Sequence, residues 1–502
     1  MDELTIPEYF AGKNVLVTGG TGFMGKVLIE KLLRSCPDVN TIYVLVRPKK
    51  GKTAQERWDA ATQVALFDKL RQTMPEQLKR VYVVEGDIDK PDLGLSQEKK
   101  QLLKENVHFL YHAAAAVQFT EDLIYSFREN TYGTYLVAEL AKSMKHLKCF
   151  IHVSTAYSNC NMHCKNVLEE IYPLDLNWKP LIDLHKSDPR TVAILKDKVM
   201  CGHPTTYTLT KGLAEQVMND YSQYYPVIVI RPSLVLATLN DPMEGWVDML
   251  NGLTTLILAV GAGVLRIIIG RKDSCLDFVS VDHSIKCFII ATYLEGKKNR
   301  TNGIEVVSCN YSDDLNLKLS EITEECHDFV CRYPLEECLW APSSSFVTNK
   351  FLFGILFFLF QIIPAILVDT FLIVKGDKPR LMKLTIKMAQ AFNGPISFFS
   401  TNVFCFPNHK FKTMSTYLHP KDMEDFSYDF ARTDTKKIVD INTLGTYKYH
   451  LKLSTEKEHL EKLRKRHQRM LYIHYAVCAF LCFLCGYSLL TVMKYIYFKL
   501  AV

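Results

Sequence analysis

A glycine-rich turn between an apolar run and a helical pattern constrains this chain more than any other stretch. Residues 14–25 read NVLVTGGTGFMG, and helical spacing follows through Leu28, Ile29, Leu32 and Leu33. A buried strand therefore enters a tight loop that opens a helix. Glycine suits such a loop because a side chain would hold the backbone away from a phosphate. The helix N-terminus adds unpaired N–H groups and the positive end of a dipole, a cradle for pyrophosphate. A glycine triplet alone says little, but set strand–loop–helix with further strands behind it, it predicts a dinucleotide site. Thr18, Gly19, Gly20, Thr21, Gly22, Phe23, Met24 and Gly25 are the residues assigned to it. The competing reading is a glycine turn that binds nothing.

The strands behind it are TIYVLVR (41–47), VYVVEGDI (81–88), VHFLYHAAA (107–115), CFIHVST (149–155) and VIVIRP (227–232). Helical patterns lie between them at 97–104, 129–144 and 207–221. Strands alternating with helices predict an α/β fold, a Rossmann-type doubly wound parallel sheet covered on both faces. The right-handed crossover rule places the strand ends along one edge. At the end of the second strand stands Arg47, where an NAD site usually carries an acid for the ribose 2′-hydroxyl. A guanidinium there can pair with a 2′-phosphate, so NADPH is expected over NADH. Asp87, followed by Ile88, is placed to accept from the adenine amino group. Ala113 and Ala114 let the cofactor lie close to the backbone.

The remaining totals exclude more than they assign. The 502 residues suggest about three units by the usual length prior. The net charge of +6 is small for that length and spread out, and no nucleic-acid motif accompanies it. The 15 cysteines follow no frame and no apolar leader precedes residue 12, so reduced thiols and a cytosol-facing chain are expected. Cys160, His163 and Cys164 lack a second ligand pair, so no metal is expected. Asp282-His283 comes without a nucleophile elbow and reads as structural.

Tyr207 and Lys211, at i and i+4, share a helical face. A cation beside a phenol favours the phenolate and lowers its pKa, suiting it to exchange a proton with a substrate oxygen. Ser154 and Thr155, just after the fifth strand, supply hydroxyls to orient a carbonyl. Lys211 can also hold the nicotinamide ribose. A surface Tyr–Lys pair is the plainer alternative.

In this order TGGTGFMG, GDI (86–88), NTYGT (130–134), HVSTAY (152–157), YTLTK (207–211), IRPS (230–233) and EGWVD (244–248) resemble the alcohol-forming fatty acyl-CoA reductases of the extended short-chain dehydrogenase/reductase superfamily. The likeness is close from residue 10 to about 300 and looser over 355–450. Thr205-Thr206 replace the expected Asn-Thr, and 351–374 is hard to place. The resemblance implies that a long-chain fatty acyl-CoA and two NADPH give fatty alcohol and free CoA, through a hemithioacetal and an aldehyde. It adds Arg231 and Pro232 to the cofactor set and gives Asn130 a water linked to Lys211. A membrane-bound hydroxysteroid dehydrogenase and an inactive cofactor-binding scaffold are the competing readings. A homodimer is one option for assembly.

A composition shift around 332–345 suggests a reductase domain over 1–345, with a substrate part at 232–345. A small, mostly helical C-terminal domain is expected over 346–460. Within 245–270 an apolar stretch reads as substrate-lining. The apolar block 351–374 is interrupted by Gln361, Pro364 and Asp369, so it is expected to lie in the interface or re-enter rather than cross. Residues 470–492 contain no Asp, Glu, Lys or Arg and are expected to span a bilayer. Five of the eight residues 462–469 are Lys or Arg, which by the positive-inside rule keeps the catalytic domain on the cytosolic side of endoplasmic reticulum or peroxisome.

Overall fold

The computed structural model describes residues 4–117, 121–161, 166–250, 252–298, 300–311, 315, 317–336, 338, 340–429, 434–454 and 456–500. Seven strands make one sheet: β1 (Asn14–Thr18), β2 (Thr41–Val46), β3 (Val81–Glu85), β4 (Phe109–His112), β5 (Cys149–Val153), β6 (Pro226–Pro232) and β7 (Gly303–Cys309). Their order is β7-β6-β5-β4-β1-β2-β3, and every neighbouring pair is parallel. Strands β1, β4, β5 and β6 are buried throughout. Burial on both faces explains why they read as continuous apolar runs rather than alternating ones. The order reverses between β1 and β4, the crevice where open α/β sheets bind ligands.

The site is positioned by α1 (Phe23–Ser35), α2 (Ala54–Thr62), α3 (Gly133–Lys142), α4 (Thr206–Tyr221) and α5 (Val281–Lys297). Helix α1 turns Val27, Leu28, Ile29, Leu32 and Leu33 inward, as its spacing predicts. The Thr205-Thr206 departure is locally sound. Thr205 caps α4 by accepting from the Thr208 N–H at 3.1 Å, the role Asn would fill. Thr206 donates to the Glu121 carbonyl at 3.0 Å. Strand β7 escapes the sequence pattern because Glu305 interrupts GIEVVSC. That carboxylate faces Lys298 at 2.6 Å and Lys410 at 2.8 Å, charges suited to an edge strand.

The chain forms two compact units, neither continuous in sequence. The sheet unit comprises Met1–Asn251, Asp273–Leu319 and Ala389–Leu451; the other comprises Gly252–Lys272, Ser320–Met388 and Lys452–Val502. The linear boundary at 332–345 thus does not describe the packing. Residues 389–451 join the sheet unit through contacts that tolerate little change. A Cβ on Gly445 would lie 1.7 Å from the Gly245 carbonyl oxygen. Asn442 Oδ1 accepts the Ala237 N–H at 3.0 Å. The Tyr157 ring sits edge-on to Phe399, Phe404 and Phe406, with centroids 5.1–5.9 Å away.

In the second unit the predicted apolar stretch 245–270 resolves into helix Gly252–Gly261 and strand Ile267–Ile269, the latter paired with Ser345–Val347. Residues Lys350–Val374 form one helix long and apolar enough to cross a membrane. The proline does not break it: Pro364 follows a π turn at Phe358–Ile362, where the missing N–H costs no ordinary i to i−4 bond. Phe353, Phe357, Gln361, Ala365 and Asp369, four apart, are its buried stripe. Both polar residues therefore point into protein. Helix Lys457–Leu500 runs 44 residues and carries the basic stretch and the 470–492 block.

Candidate active site

The turn from β1 into α1 closes on itself at two glycines. Gly19 has φ +77°, and a Cβ there would meet Ala114 N at 2.7 Å. A Cβ on Gly25 would lie 2.3 Å from the Gly19 carbonyl oxygen. Thr18 Oγ1 meets His112 Nδ1 at 2.7 Å, joining the ends of β1 and β4. Beside this turn is a groove of about 220 Å³ lined by Gly19, Thr21, Gly22, Arg47, Arg57, Asp87, Ile88, Ala113, Ala114 and Glu129. Three loop residues face elsewhere. Gly20 backs onto Val44, Phe23 stacks on Trp246 with centroids 5.5 Å apart, and Met24 is half-buried in the first turn of α1.

One end of the groove carries two guanidiniums and two carboxylates. Arg47 Nη1 donates to Glu129 Oε1 at 3.1 Å and lies 3.7 Å from Asp87 Oδ1. Arg57, from α2, donates to the Arg47 carbonyl oxygen. Among the described residues it has no carboxylate within ion-pair distance. The sequence reading missed Arg57; the available signal was the Thr53–Glu56 capping box that starts α2 just before it. Burial and the neighbouring Asp89 push the Asp87 carboxyl up against the pull of Arg47. Asp87 Oδ1 is buried without a hydrogen-bond partner among the described residues. A backbone-lined cradle, two guanidiniums and an unsatisfied acceptor fit an adenine dinucleotide.

Tyr207 and Lys211 sit on the first turns of α4, facing the end of β5. The Thr155 hydroxyl draws the Tyr207 phenol pKa down, but burial outweighs it and pushes the phenol up to about 12. Lys211 Nζ donates to the Val153 carbonyl oxygen at 2.7 Å. Burial pushes its ammonium down to about 8 against the attraction of Glu215. The expected lowering of the phenol by Lys211 is not seen: burial is the largest influence on it, and Lys211 is not among the groups that shift it. Asn130, in a π turn at Phe127–Tyr132, accepts the Ala116 N–H at 2.8 Å. Its amide donates to the Ala116 carbonyl at 3.1 Å and to Thr210 Oγ1 at 3.0 Å. It braces the strand-end loop on α4.

Two residues grouped with the site belong to a buried node behind it. Ser154 donates to Glu215 Oε1 at 2.5 Å, and Ser158 to the same oxygen at 2.8 Å. Arg231 pairs with Glu215 Oε2 at 2.7 Å with neither side chain more than 1% exposed. It also donates to the Leu168 and Glu170 carbonyls. Arg231 is therefore committed away from the groove, and Pro232 ends β6 opposite Cys309. Burial pushes Glu215 up, but Arg231 and the serine hydroxyls more than offset it, and the net shift is downward. Of the remaining candidates, Asp282 accepts the N–H groups of Leu239, Asn240 and Asp241, and His283 Nδ1 meets the Tyr311 hydroxyl at 2.7 Å. Cys160 is buried, while His163 and Cys164 lie outside the described residues.

The doubly wound sheet, the glycine cradle at its switch point and the Tyr–Lys pair on α4 define a dinucleotide-dependent reductase of the extended short-chain kind. An NAD-binding family model described as "Male sterility protein" matches residues 17–288, and a second model of the same description matches 360–453. Fatty acyl-CoA reductase 1 of Pongo abelii is 35% identical over 467 residues, 92% of this chain and 90% of that protein. Fatty acyl-CoA reductase wat of Drosophila melanogaster is 31% identical over 497 residues, covering 98% and 94%. The reductase domain of a nonribosomal peptide synthetase from Mycobacterium tuberculosis shares the fold at TM-score 0.56 and 20% identity, over 86% of this chain and 92% of that one. The chain belongs to the fatty acyl-CoA reductase family.

Proposed function

We propose that the protein reduces long-chain fatty acyl-CoA to the primary alcohol and releases CoA. The observation that carries this reading is the Tyr207–Lys211 pair on α4, tied by Lys211 Nζ to the Val153 carbonyl at 2.7 Å, on the strand-end edge that also holds the glycine groove. Bound NADPH supplies hydride to the carbonyl carbon. Thr155 and Tyr207 stabilise the oxyanion that develops there. Collapse of the hemithioacetal breaks the C–S bond and expels CoA thiolate, leaving aldehyde. After the second hydride Tyr207 gives its proton to the alkoxide, and Lys211 holds the ribose beside it. Incubation with labelled stearoyl-CoA and NADPH should yield labelled octadecanol. Turnover of hydroxysteroids without any acyl-CoA reduction would overturn the assignment.

The phosphorylated cofactor is favoured because two guanidiniums, Arg47 and Arg57, converge where an NAD site usually carries an acid. Arg47→Asp should weaken NADPH far more than NADH in steady-state kinetics, and equal losses for both would remove Arg47 from 2′-phosphate recognition.

For the second unit we infer attachment to a membrane of the endoplasmic reticulum or peroxisome, with the sheet unit in the cytosol. The helix Lys350–Val374 is held to its unit by a stripe running almost its full length, which favours lying in the interface over crossing it. Residues 470–492 are then the single crossing, with the basic residues 462–469 on the cytosolic side. Protease added to sealed microsomes should remove everything up to about Arg469 and spare a C-terminal tag. A protected fragment containing 375–469 would mean two crossings.

A further inference from the structure

The second unit contains a cavity of about 320 Å³ that the reductase chemistry does not use. Its walls include Phe360, Pro364 and Leu367 of the helix Lys350–Val374, together with Arg266 and Trp340. Phe360 and Leu367 are exposed, so the cavity opens onto the apolar outer face of that helix. Arg266 is the exception in this lining. Its guanidinium lies over the Trp340 ring, 5.4 Å from the centroid, and its Nε reaches the Gly263 carbonyl at 3.4 Å. Among the described residues it has no carboxylate within ion-pair distance. The acid on the helix, Asp369, is already committed to the N–H groups of Arg380, Leu381 and Met382. Gln361 holds the arrangement by accepting the Arg266 and Ile267 N–H groups at 3.2 and 2.9 Å.

On the membrane reading of this unit, the surroundings put this cation at the level of a bilayer surface. Arg464 donates to the Arg332 carbonyl and Arg466 to the Glu336 carbonyl, so Arg332 and Glu336 lie beside the basic stretch of helix Lys457–Leu500. Trp340 Nε1 then donates to His474 Nδ1 at 2.9 Å, just inside the apolar stretch. Basic residues followed by a tryptophan are the usual order at the headgroup boundary. A half-buried, uncompensated guanidinium in an apolar cavity at that boundary calls for an anion carried on a hydrocarbon chain.

We propose that this cavity binds an anionic phospholipid of the bilayer, its phosphate on Arg266 and its first chain carbons against Phe360, Pro364 and Leu367. Guanidinium suits the phosphate because two parallel N–H groups can meet two oxygens. Phosphatidylcholine is disfavoured because its own cation competes for that phosphate. The proposal rests on the membrane reading of the second unit, and one experiment separates the two. Full-length protein is reconstituted in phosphatidylcholine vesicles containing either chain-brominated phosphatidylglycerol or chain-brominated phosphatidylcholine, and tryptophan fluorescence is measured. The Trp340 component is the part absent from Trp340→Phe. Brominated phosphatidylglycerol should quench it at about fivefold lower mole fraction, the preference expected of one basic residue at an anionic surface. Arg266→Gln should erase that difference and Arg266→Lys retain part of it. Equal quenching by the two lipids in the unsubstituted protein would overturn the site while leaving membrane contact intact. An advantage that persists in Arg266→Gln would overturn the role of Arg266. An advantage abolished by inorganic phosphate would mean a free-anion site instead. No quenching by either lipid would sink both the site and the membrane reading.

Discussion

Tyr207→Phe is expected to lower kcat by about 10²- to 10⁴-fold while cofactor binding survives. The substitution removes one hydroxyl from a half-buried ring and leaves the groove lining untouched, since Tyr207 is not among the groove residues. In the proposed mechanism it removes the proton donor for the second reduction and one of two hydroxyls assigned to the developing oxyanion. Thr155→Val should lose less, because the phenol remains. Lys211→Met is a different experiment. It takes away the cation on the face of α4 that carries the phenol and the proposed hold on the ribose, so cofactor affinity and turnover should fall together. Titration of cofactor binding by fluorescence, alongside steady-state rates, separates the cases. A phenylalanine variant that makes alcohol at near its parent's rate would remove Tyr207 from the chemistry.

The second large effect concerns stability. Glu215→Leu should cost about 3–5 kcal/mol, because it leaves the Arg231 guanidinium buried without its counter-ion. Neither partner is more than 1% exposed, so water cannot replace the lost interaction. For a unit of this size that corresponds to a Tm lower by roughly 4–7 °C. Replacing both partners, Glu215→Leu with Arg231→Met, should recover part of the loss, since no orphaned charge remains, although the Ser154 and Ser158 hydroxyls and the Leu168 and Glu170 carbonyls lose a partner. Differential scanning fluorimetry of the two variants is the check. A single variant as stable as its parent would mean that the node is hydrated and not a structural pair.

Glycine loop and catalytic helix were legible in the sequence because both are local. A strand buried on both faces needs an unbroken apolar run, a tight loop needs glycine, and i, i+4 spacing puts Tyr207 and Lys211 on one face whatever surrounds them. The misreadings arise where distant segments decide. Arg231 was added to the cofactor set by the resemblance, but its side chain answers to Glu215 on α4. Ser154 and Thr155 are neighbours in sequence, yet alternation along extended backbone sends one to Glu215 and the other to Tyr207. Asn130 was assigned a water on likeness alone, and its amide has a second task that the sequence does not announce, tying Ala116 to Thr210. Strand β7 was hidden by Glu305, whose partners lie outside the strand. The linear domain boundary failed for the same reason: residues 389–451 belong with the sheet because Gly445 meets Gly245, and no local pattern announces a contact across two hundred residues.

The central claim is that a single edge of this sheet carries an acyl thioester through two reductions to the alcohol. The most direct test follows stearoyl-CoA, NADPH, free CoA and octadecanol together in one reaction of the full-length protein. Two NADPH consumed for each CoA released and each alcohol formed, with Tyr207→Phe silent in all four, is the result this account predicts. One NADPH per CoA with aldehyde as the sole product, or no CoA release at all, would contradict it.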